Sequence, residues 1–230
     1  MPYSVKPTLE WWRDLMEANR WLVQFGQSDD SLTENGSSGC TDTVLQALIL
    51  GWKAKRVTHN QIRKAAGRGI ATCSKGLTAD DVRKVIANWG LPYKVVFGMT
   101  WGDVLRASNR GPAIVATRYA NWPNWAHYGG ATRPKPWARP TDKAGRSQFS
   151  GFTGAHANLL LGYANWLNDS GVVVRVDAFV KEPNHGSPAR PERPPYDIVL
   201  SADGKAAYDA YKSVLGRELY AVIPTTTFRR

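Results

Sequence analysis

Thr58, Thr78 and Thr100 are each followed three residues later by a side chain able to cap back, Gln61, Asp81 and Asp103, and each stretch is closed by a glycine. The threonine hydroxyl accepts from a first-turn N–H while the partner side chain accepts from the threonine's own N–H, so a helix starts there. Glycine takes the left-handed conformation that ends one. The spacing predicts three short helices, in THNQIRKAAG, TADDVRKVIANWG and TWGDVLRASNRG. Strand-like runs lie between and after them: Tyr93 to Phe97, Ala113 to Thr117, Ala157 to Tyr163, Val172 to Phe179 and Leu219 to Ile223. The turn NDSG from Asn168 to Gly171 joins two of these as a hairpin. Helices early and strands late give an α+β layout, with the helices on one side of a mostly antiparallel sheet. No GxGxxG or GxxxxGK[ST] string suggests a nucleotide-binding fold.

Two further helices precede or open this skeleton. Leu9 to Val23 carries Leu9, Trp12 and Met16 on one face, and the polar stretch from Gly26 to Gly39 reads as a loop. From Cys40 the pattern changes: Val44, Leu45, Leu48, Ile49 and Trp52 recur at helical spacing, so a buried helix begins at the cysteine. The expected organisation is an N-terminal helix and loop arm over 1–35 and one domain over 36–230. That domain carries a Trp-, Gly-, Pro- and Arg-rich insertion at 121–152 and a basic, proline-rich loop at 181–196. The first segment has no basic start followed by an apolar run, and no stretch reaches the ~18 apolar residues of a membrane span, so a soluble protein made in a cytoplasm is expected.

Composition narrows the function. Two cysteines and four histidines are too few for a disulfide framework or a four-thiolate metal site, so neither a metal nor another cofactor is expected. The net charge of +11 favours an anionic partner: nucleic acid, a phosphate-bearing cell wall or an acidic protein surface. Ten tryptophans are more than packing alone requires.

One set of residues carries chemistry. A thiolate needs a local positive potential, and the first turn of a helix supplies free N–H groups and the positive end of the dipole. Cys40 stands there. A cysteine hydrolase further needs a histidine to exchange the proton and a polar group to hold the ring. His156 heads the run HANLLLGY, and Asp177 lies in the next one, VVVRVDAF, where a hairpin would bring the acid to the histidine. Cys73 has no such company and reads as structural. His59 on a surface helix and His185 in the proline-rich loop read as solvated, and His127 as either a substrate contact or loop packing.

The strings GCTDTVLQALIL, THNQIRKAAG, LTADDVRKVIANWGLPYKVV, GPAIVAT, AHANLLLGY and VVVRVDAF resemble, in order and spacing, the papain-like bacteriocin-processing (double-glycine) cysteine peptidases and their free-standing, phage-borne relatives. The resemblance covers residues 36 to 180. It implies a papain-like fold with nucleophile Cys40, base His156 and acid Asp177. Family members carry D-C-G at the nucleophile, where this chain has Gly39-Cys40-Thr41, and commonly a proline after the acid, where it has Ala178. The family's upstream oxyanion glutamine is replaced by the candidates Asn35 and Gln27.

The resemblance implies a phage-encoded cysteine peptidase carried in the virion tail, acting on peptidoglycan peptides at the bacterial envelope. The alternative is a structural tail protein that keeps the fold as a docking module, with other tail proteins as partners. A DNA-binding reading rests on charge alone, without a recognition-helix motif. Trp122, Trp125, His127, Tyr128 and Trp137 suit either a lid that contacts substrate or a subunit interface.

Overall fold

In the computed structural model the described residues are 3–4, 39–69, 76–118, 127–128, 155–181, 183, 198–203 and 219–228. Four helices fall among them: α1 (Cys40–Lys53), α2 (His59–Ala65), α3 (Ala79–Trp89) and α4 (Trp101–Ser108). Eight strands form one sheet: β1 (Tyr3–Ser4), β2 (Tyr93–Phe97), β3 (Ala113–Arg118), β4 (His127–Tyr128), β5 (Ala155–Leu167), β6 (Val173–Lys181), β7 (Ile198–Asp203) and β8 (Tyr220–Pro224). The strand order is β2-β8-β3-β5-β6-β7-β4, with β1 added beside the far end of β5, and every described pairing is antiparallel. The helix that the sequence suggests over Leu9 to Val23 lies outside the described residues.

All three threonine signals are capping boxes. Gln61, Asp81 and Asp103 donate their N–H to Thr58, Thr78 and Thr100 at 3.2, 3.3 and 3.1 Å, and their side chains accept the threonine N–H in return. Gly90, at φ 55°, ends α3 in the left-handed conformation that a side chain would strain. The β5–β6 hairpin turns where NDSG stands. Asn168 Oδ1 accepts from the N–H groups of Ser170 and Val172, and Gly171 takes φ 76°.

Alternation along the central strands sorts the core into two clusters. Ile114 and Ala116 of β3, Ala157, Leu159 and Leu161 of β5, and Tyr220 and Val222 of β8 pack with α1, α2 and α3. Ala113 and Val115, Leu160, and Ala221 and Ile223, the intervening residues, pack with Trp101, Val104 and Leu105 of α4. Since successive strand side chains point to opposite faces, helices cover both faces of the sheet. The expectation of helices on one side is corrected at α4. Trp101, Val104 and Leu105 form an apolar face of their own, buried against the sheet face that α1 to α3 leave uncovered.

Aromatic packing ties the C-terminal end of α1 to the sheet. The Trp52 indole donates to Tyr93 Oη at 3.1 Å, and Tyr93 donates to the Pro112 carbonyl at 2.8 Å. Phe228 closes edge-on over Trp52 with ring centroids 4.7 Å apart. These contacts fix the helix whose other end carries Cys40.

Candidate active site

The first turn of α1 reads Cys-Thr-Asp-Thr, four residues that are all buried, and each is held by a different part of the molecule. Gly39 is the N-cap and supplies no side-chain cap. The first amides of a helix have no intrahelical acceptor, so the N–H groups of this turn and the helix dipole set a positive potential around Cys40.

Thr43 donates its hydroxyl hydrogen to the Gly39 carbonyl at 2.9 Å. Its oxygen also lies 3.1 Å from His59 Nε2, and since the one hydroxyl hydrogen is committed to Gly39, His59 is the donor. His59 is fully buried at the start of α2, which corrects its reading as a solvated surface residue. The capping box at Thr58 begins α2 in the orientation that turns its first side chain inward, onto α1.

Asp42 meets Arg63 of α2, with Nη2 at 2.6 Å and Nε at 3.1 Å from the same oxygen, Oδ2, while Oδ1 has no hydrogen-bond partner among the described residues. Both side chains are completely buried. Burial dominates and pushes the Asp42 pKa up to about 6, even though the Arg63 guanidinium and, farther off, Arg68 pull it down; Asp81 adds to the rise. Arg68 in turn pairs at 2.6 Å with Asp81, the capping residue of α3. An ionic chain thus runs from the turn carrying Cys40 through α2 to the start of α3.

Cys40 itself faces β5. Burial raises its pKa and is the largest single influence. It is outweighed by the hydrogen bond and positive charge of the His156 imidazole, by the Ala157 N–H and by the Thr41 hydroxyl, so the thiol ionises more readily than an ordinary one. Thr41 Oγ1 lies 3.9 Å from Sγ. His156 is nine-tenths buried near the start of β5, and its backbone is paired with Thr117 of β3. Chemically, a thiol beside an imidazole at a helix start can ionise by passing its proton to the ring. The ring can later return that proton, and an N–H in the first turn of a helix, having no intrahelical acceptor, can bind an oxyanion.

Of the sequence-derived candidates, the structure brings Cys40 and His156 together and leaves Asp177 apart. Asp177 is paired across the β5–β6 ladder with Ala164. Eight residues of strand separate Ala164 from His156, roughly 25 Å at the rise of an extended chain. No side chain spans that distance. Its oxygens are occupied instead by Trp166 Nε1 at 2.8 Å and Arg175 Nε at 2.7 Å. The expectation that the hairpin brings the acid to the histidine is therefore corrected: β5 and β6 are longer than the apolar runs that announced them, and Asp177 lies in the part of the ladder nearer the turn. The last ladder pair toward His156 is Leu159 with Lys181.

The oxyanion candidates Asn35 and Gln27 lie outside the described residues, as do Trp122, Trp125 and Trp137, and Cys73 and His185. His127 and Tyr128 form β4, paired with Ser201 and Leu200 at the edge of the sheet, three strands from β5. Sequence reasoning missed Thr41, whose hydroxyl lies 3.9 Å from Cys40 Sγ. It stands in a run of polar residues, Thr41, Asp42 and Thr43, at the start of the helix, and apolar periodicity does not say which of them meets the sulfur. Among the described residues no cluster of three His, Cys, Asp or Glu side chains could hold a metal ion, and no helix is long and apolar enough to cross a membrane.

The chain matches no protein-family model and no curated protein. Among solved structures it is similar to the bromelain protease from Ananas comosus in complex with the E64 inhibitor, at 13% sequence identity and a TM-score of 0.42, over 94% of this chain and 97% of that one. The reading of the site rests on its own geometry.

Proposed function

We propose that this protein is a cysteine peptidase or related amide hydrolase with Cys40 as nucleophile and His156 as proton acceptor and donor. One observation carries the reading: the Cys40 thiol, at the first position of a 14-residue helix, is hydrogen-bonded to the His156 imidazole and ionises more readily than an ordinary thiol despite its burial. The thiolate attacks an amide carbonyl and the Cys40 N–H binds the oxyanion. Protonated His156 gives its proton to the leaving amine, and water activated by the same ring hydrolyses the thioester.

The resemblance of the strings around Cys40 and His156 extends the proposal to a papain-like fold and to a phage-encoded enzyme that cuts peptidoglycan peptides at the bacterial envelope, carried there in the virion tail. The charge of +11 supports an anionic target of that kind. One observation favours the second reading, a tail docking module with little activity: the only carboxylate assigned to the site, Asp177, is paired with Ala164, eight residues of strand from His156.

The test is clearing of purified cell walls. Wild-type protein should clear them, and Cys40→Ala should not. Clearing by the variant at the wild-type rate would sink the peptidase reading, and absence of clearing by wild type on every wall tried would favour the docking module.

A further inference from the structure

His156 stands opposite Thr117 in the β3–β5 ladder, and Asn158 is two residues farther along β5, opposite Val115. Strand residues that pair directly, and those two apart on one strand, project from the same side of a sheet, so Thr117, His156 and Asn158 share a face. The row continues in Val115 and Leu160, both packed in the apolar cluster with α4. Polar side chains are out of place in such a row, and these have almost no access to bulk solvent: Thr117 is 2% exposed, His156 4% and Asn158 1%. Thr117 Oγ1 and both polar atoms of the Asn158 amide, Oδ1 and Nδ2, have no hydrogen-bond partner among the described residues. A buried amide left unpaired lowers stability where a leucine or valine would not. Buried polar groups of this kind are ordinarily met by ordered water.

We propose that Asn158 and Thr117 are positioning residues for His156, holding ordered water against its imidazole. As a direct cross-strand pair, Thr117 and His156 have Cβ atoms roughly 5 Å apart, and Asn158 stands about 7 Å from His156 along the strand. At those spans the side chains are neighbours, and a water bridges them as well as a direct bond would. Protonated imidazole has two N–H groups, of which the Cys40 thiolate takes one. The other donates to the water, Thr117 donates its hydroxyl hydrogen to the same water, and the water donates to Asn158 Oδ1. No proton is transferred along this path. It fixes the ring's direction and favours its charged form, because the acceptor end of the amide faces the positive charge through the water. That is the service the distant Asp177 does not supply. The inference rests on the reading of His156 as proton acceptor from Cys40, but its measurement does not require that any substrate be cut.

The measurement is the pH dependence of iodoacetamide alkylation of Cys40, followed by mass spectrometry of the Cys40 peptide. Its midpoint reports formation of the thiolate–imidazolium pair, so weakening the support of the charged ring moves it alkaline. Asn158→Leu keeps the volume and removes the amide. It should shift the midpoint up by about half to one pH unit, which is roughly a three- to tenfold slower reaction below the midpoint. Thr117→Val should shift it the same way by less, and Thr117→Ser should restore the wild-type profile. Asn158→Asp keeps an acceptor beside the water and should leave the midpoint at or below the wild-type value. A residue that merely filled the core would not give Asn158→Leu and Asn158→Asp different midpoints. Should Asn158→Leu fail to fold by circular dichroism, the contrast between Thr117→Val and Thr117→Ser decides the question. Unshifted midpoints in the folded Leu and Val variants, or an equal alkaline shift in Asn158→Asp, would overturn the proposal. So would a crystal structure of the wild-type protein with no water in hydrogen-bond reach of both Asn158 and the His156 ring. The two readings fail separately: a protein that clears no cell wall but shows these shifts loses the peptidase reading and keeps this one, and clearing without the shifts does the opposite.

Discussion

Asp177 is paired across the β5–β6 ladder with Ala164, and Trp166 and Arg175 hold its two oxygens. Arg175 also lies over the Trp166 ring, 5.4 Å from its centre, so the three side chains form one clamp beside the hairpin turn. The clamp is structural. Asp177→Ala should leave cell-wall hydrolysis within about threefold of wild type while destabilising the protein by about 1 to 3 kcal/mol, the cost of stranding two donors in a half-buried site. Urea unfolding and a wall-clearing assay on the same preparation measure both. A large loss of kcat in a folded Asp177→Ala would instead contradict the roughly 25 Å separation derived from the register.

His156 acts on Cys40 through both a hydrogen bond and its charge. Removing the ring while keeping a polar side chain, in His156→Gln, should lower hydrolysis at least about 100-fold, the usual worth of a positioned acid–base group. The pH profile carries a sharper expectation. The wild-type thiol ionises below the range of an ordinary thiol, so the acidic limb of kcat/KM should lie below that range as well. In His156→Gln burial is less opposed, and the pH dependence of Cys40 alkylation should move alkaline. An alkylation profile identical to wild type would show that the two side chains do not share the proton.

Local rules were enough to read the skeleton. Each Thr-x-x-Gln/Asp box starts its helix where the side chains satisfy the first-turn N–H groups, and a short-range hydrogen bond of that kind does not depend on what the helix packs against. Cys40 and His156 were legible for a similar reason: one marks the change from a polar loop to an apolar helix, the other the start of an apolar strand. Asp177 failed because strand register is a long-range property. The runs LLLGY and VVVRV show which residues are apolar but not how far the ladder continues past them, and a ladder running to Lys181 moves the acid away from the histidine. His59 failed because the direction in which a first-turn residue points is set by tertiary packing. The pattern that placed it on a helix could not say that Thr43 stands beside it.

Helix α1 ends with Ala54 at φ 52° and ψ 30°, the one non-glycine residue with positive φ among those described, its N–H bonded to the Leu50 carbonyl. A Cβ in the left-handed conformation costs about 1 to 2 kcal/mol, and glycine gives back part of that relief through the greater freedom of its unfolded chain. Ala54→Gly should therefore stabilise the protein by about 0.5 to 1 kcal/mol, a rise in Tm of roughly 1 to 4 °C for a chain of this size, with no effect on Cys40 reactivity at the other end of the helix. A lower Tm would show that the helix does not end in that conformation in solution.

The buried pair of Asp42 and Arg63 should make stability depend on pH in a direction opposite to the usual acid lability. The folded-state pKa of Asp42, about 6, lies above that of an unfolded carboxylate, so the native state binds this proton more tightly. Its contribution is full below the unfolded pKa and is lost as the pH rises through about 6. Asp81 and Asp103 have the opposite sign: their folded pKa values are lowered, mainly by hydrogen bonds from Arg68 and from Thr100 working against burial, so their contributions are lost only as the pH falls into the carboxylate range. Between pH 5 and 7 the Asp42 contribution stands clear of theirs, and Tm should fall by roughly 5 °C across that interval. Asp42→Asn alone strands a buried guanidinium and should cost about 3 to 5 kcal/mol. Replacing both partners, Asp42→Leu with Arg63→Met, removes the desolvation penalty along with the attraction, and should give a folded protein whose Tm no longer falls over that range. A double variant that keeps the wild-type slope would place the titrating group elsewhere.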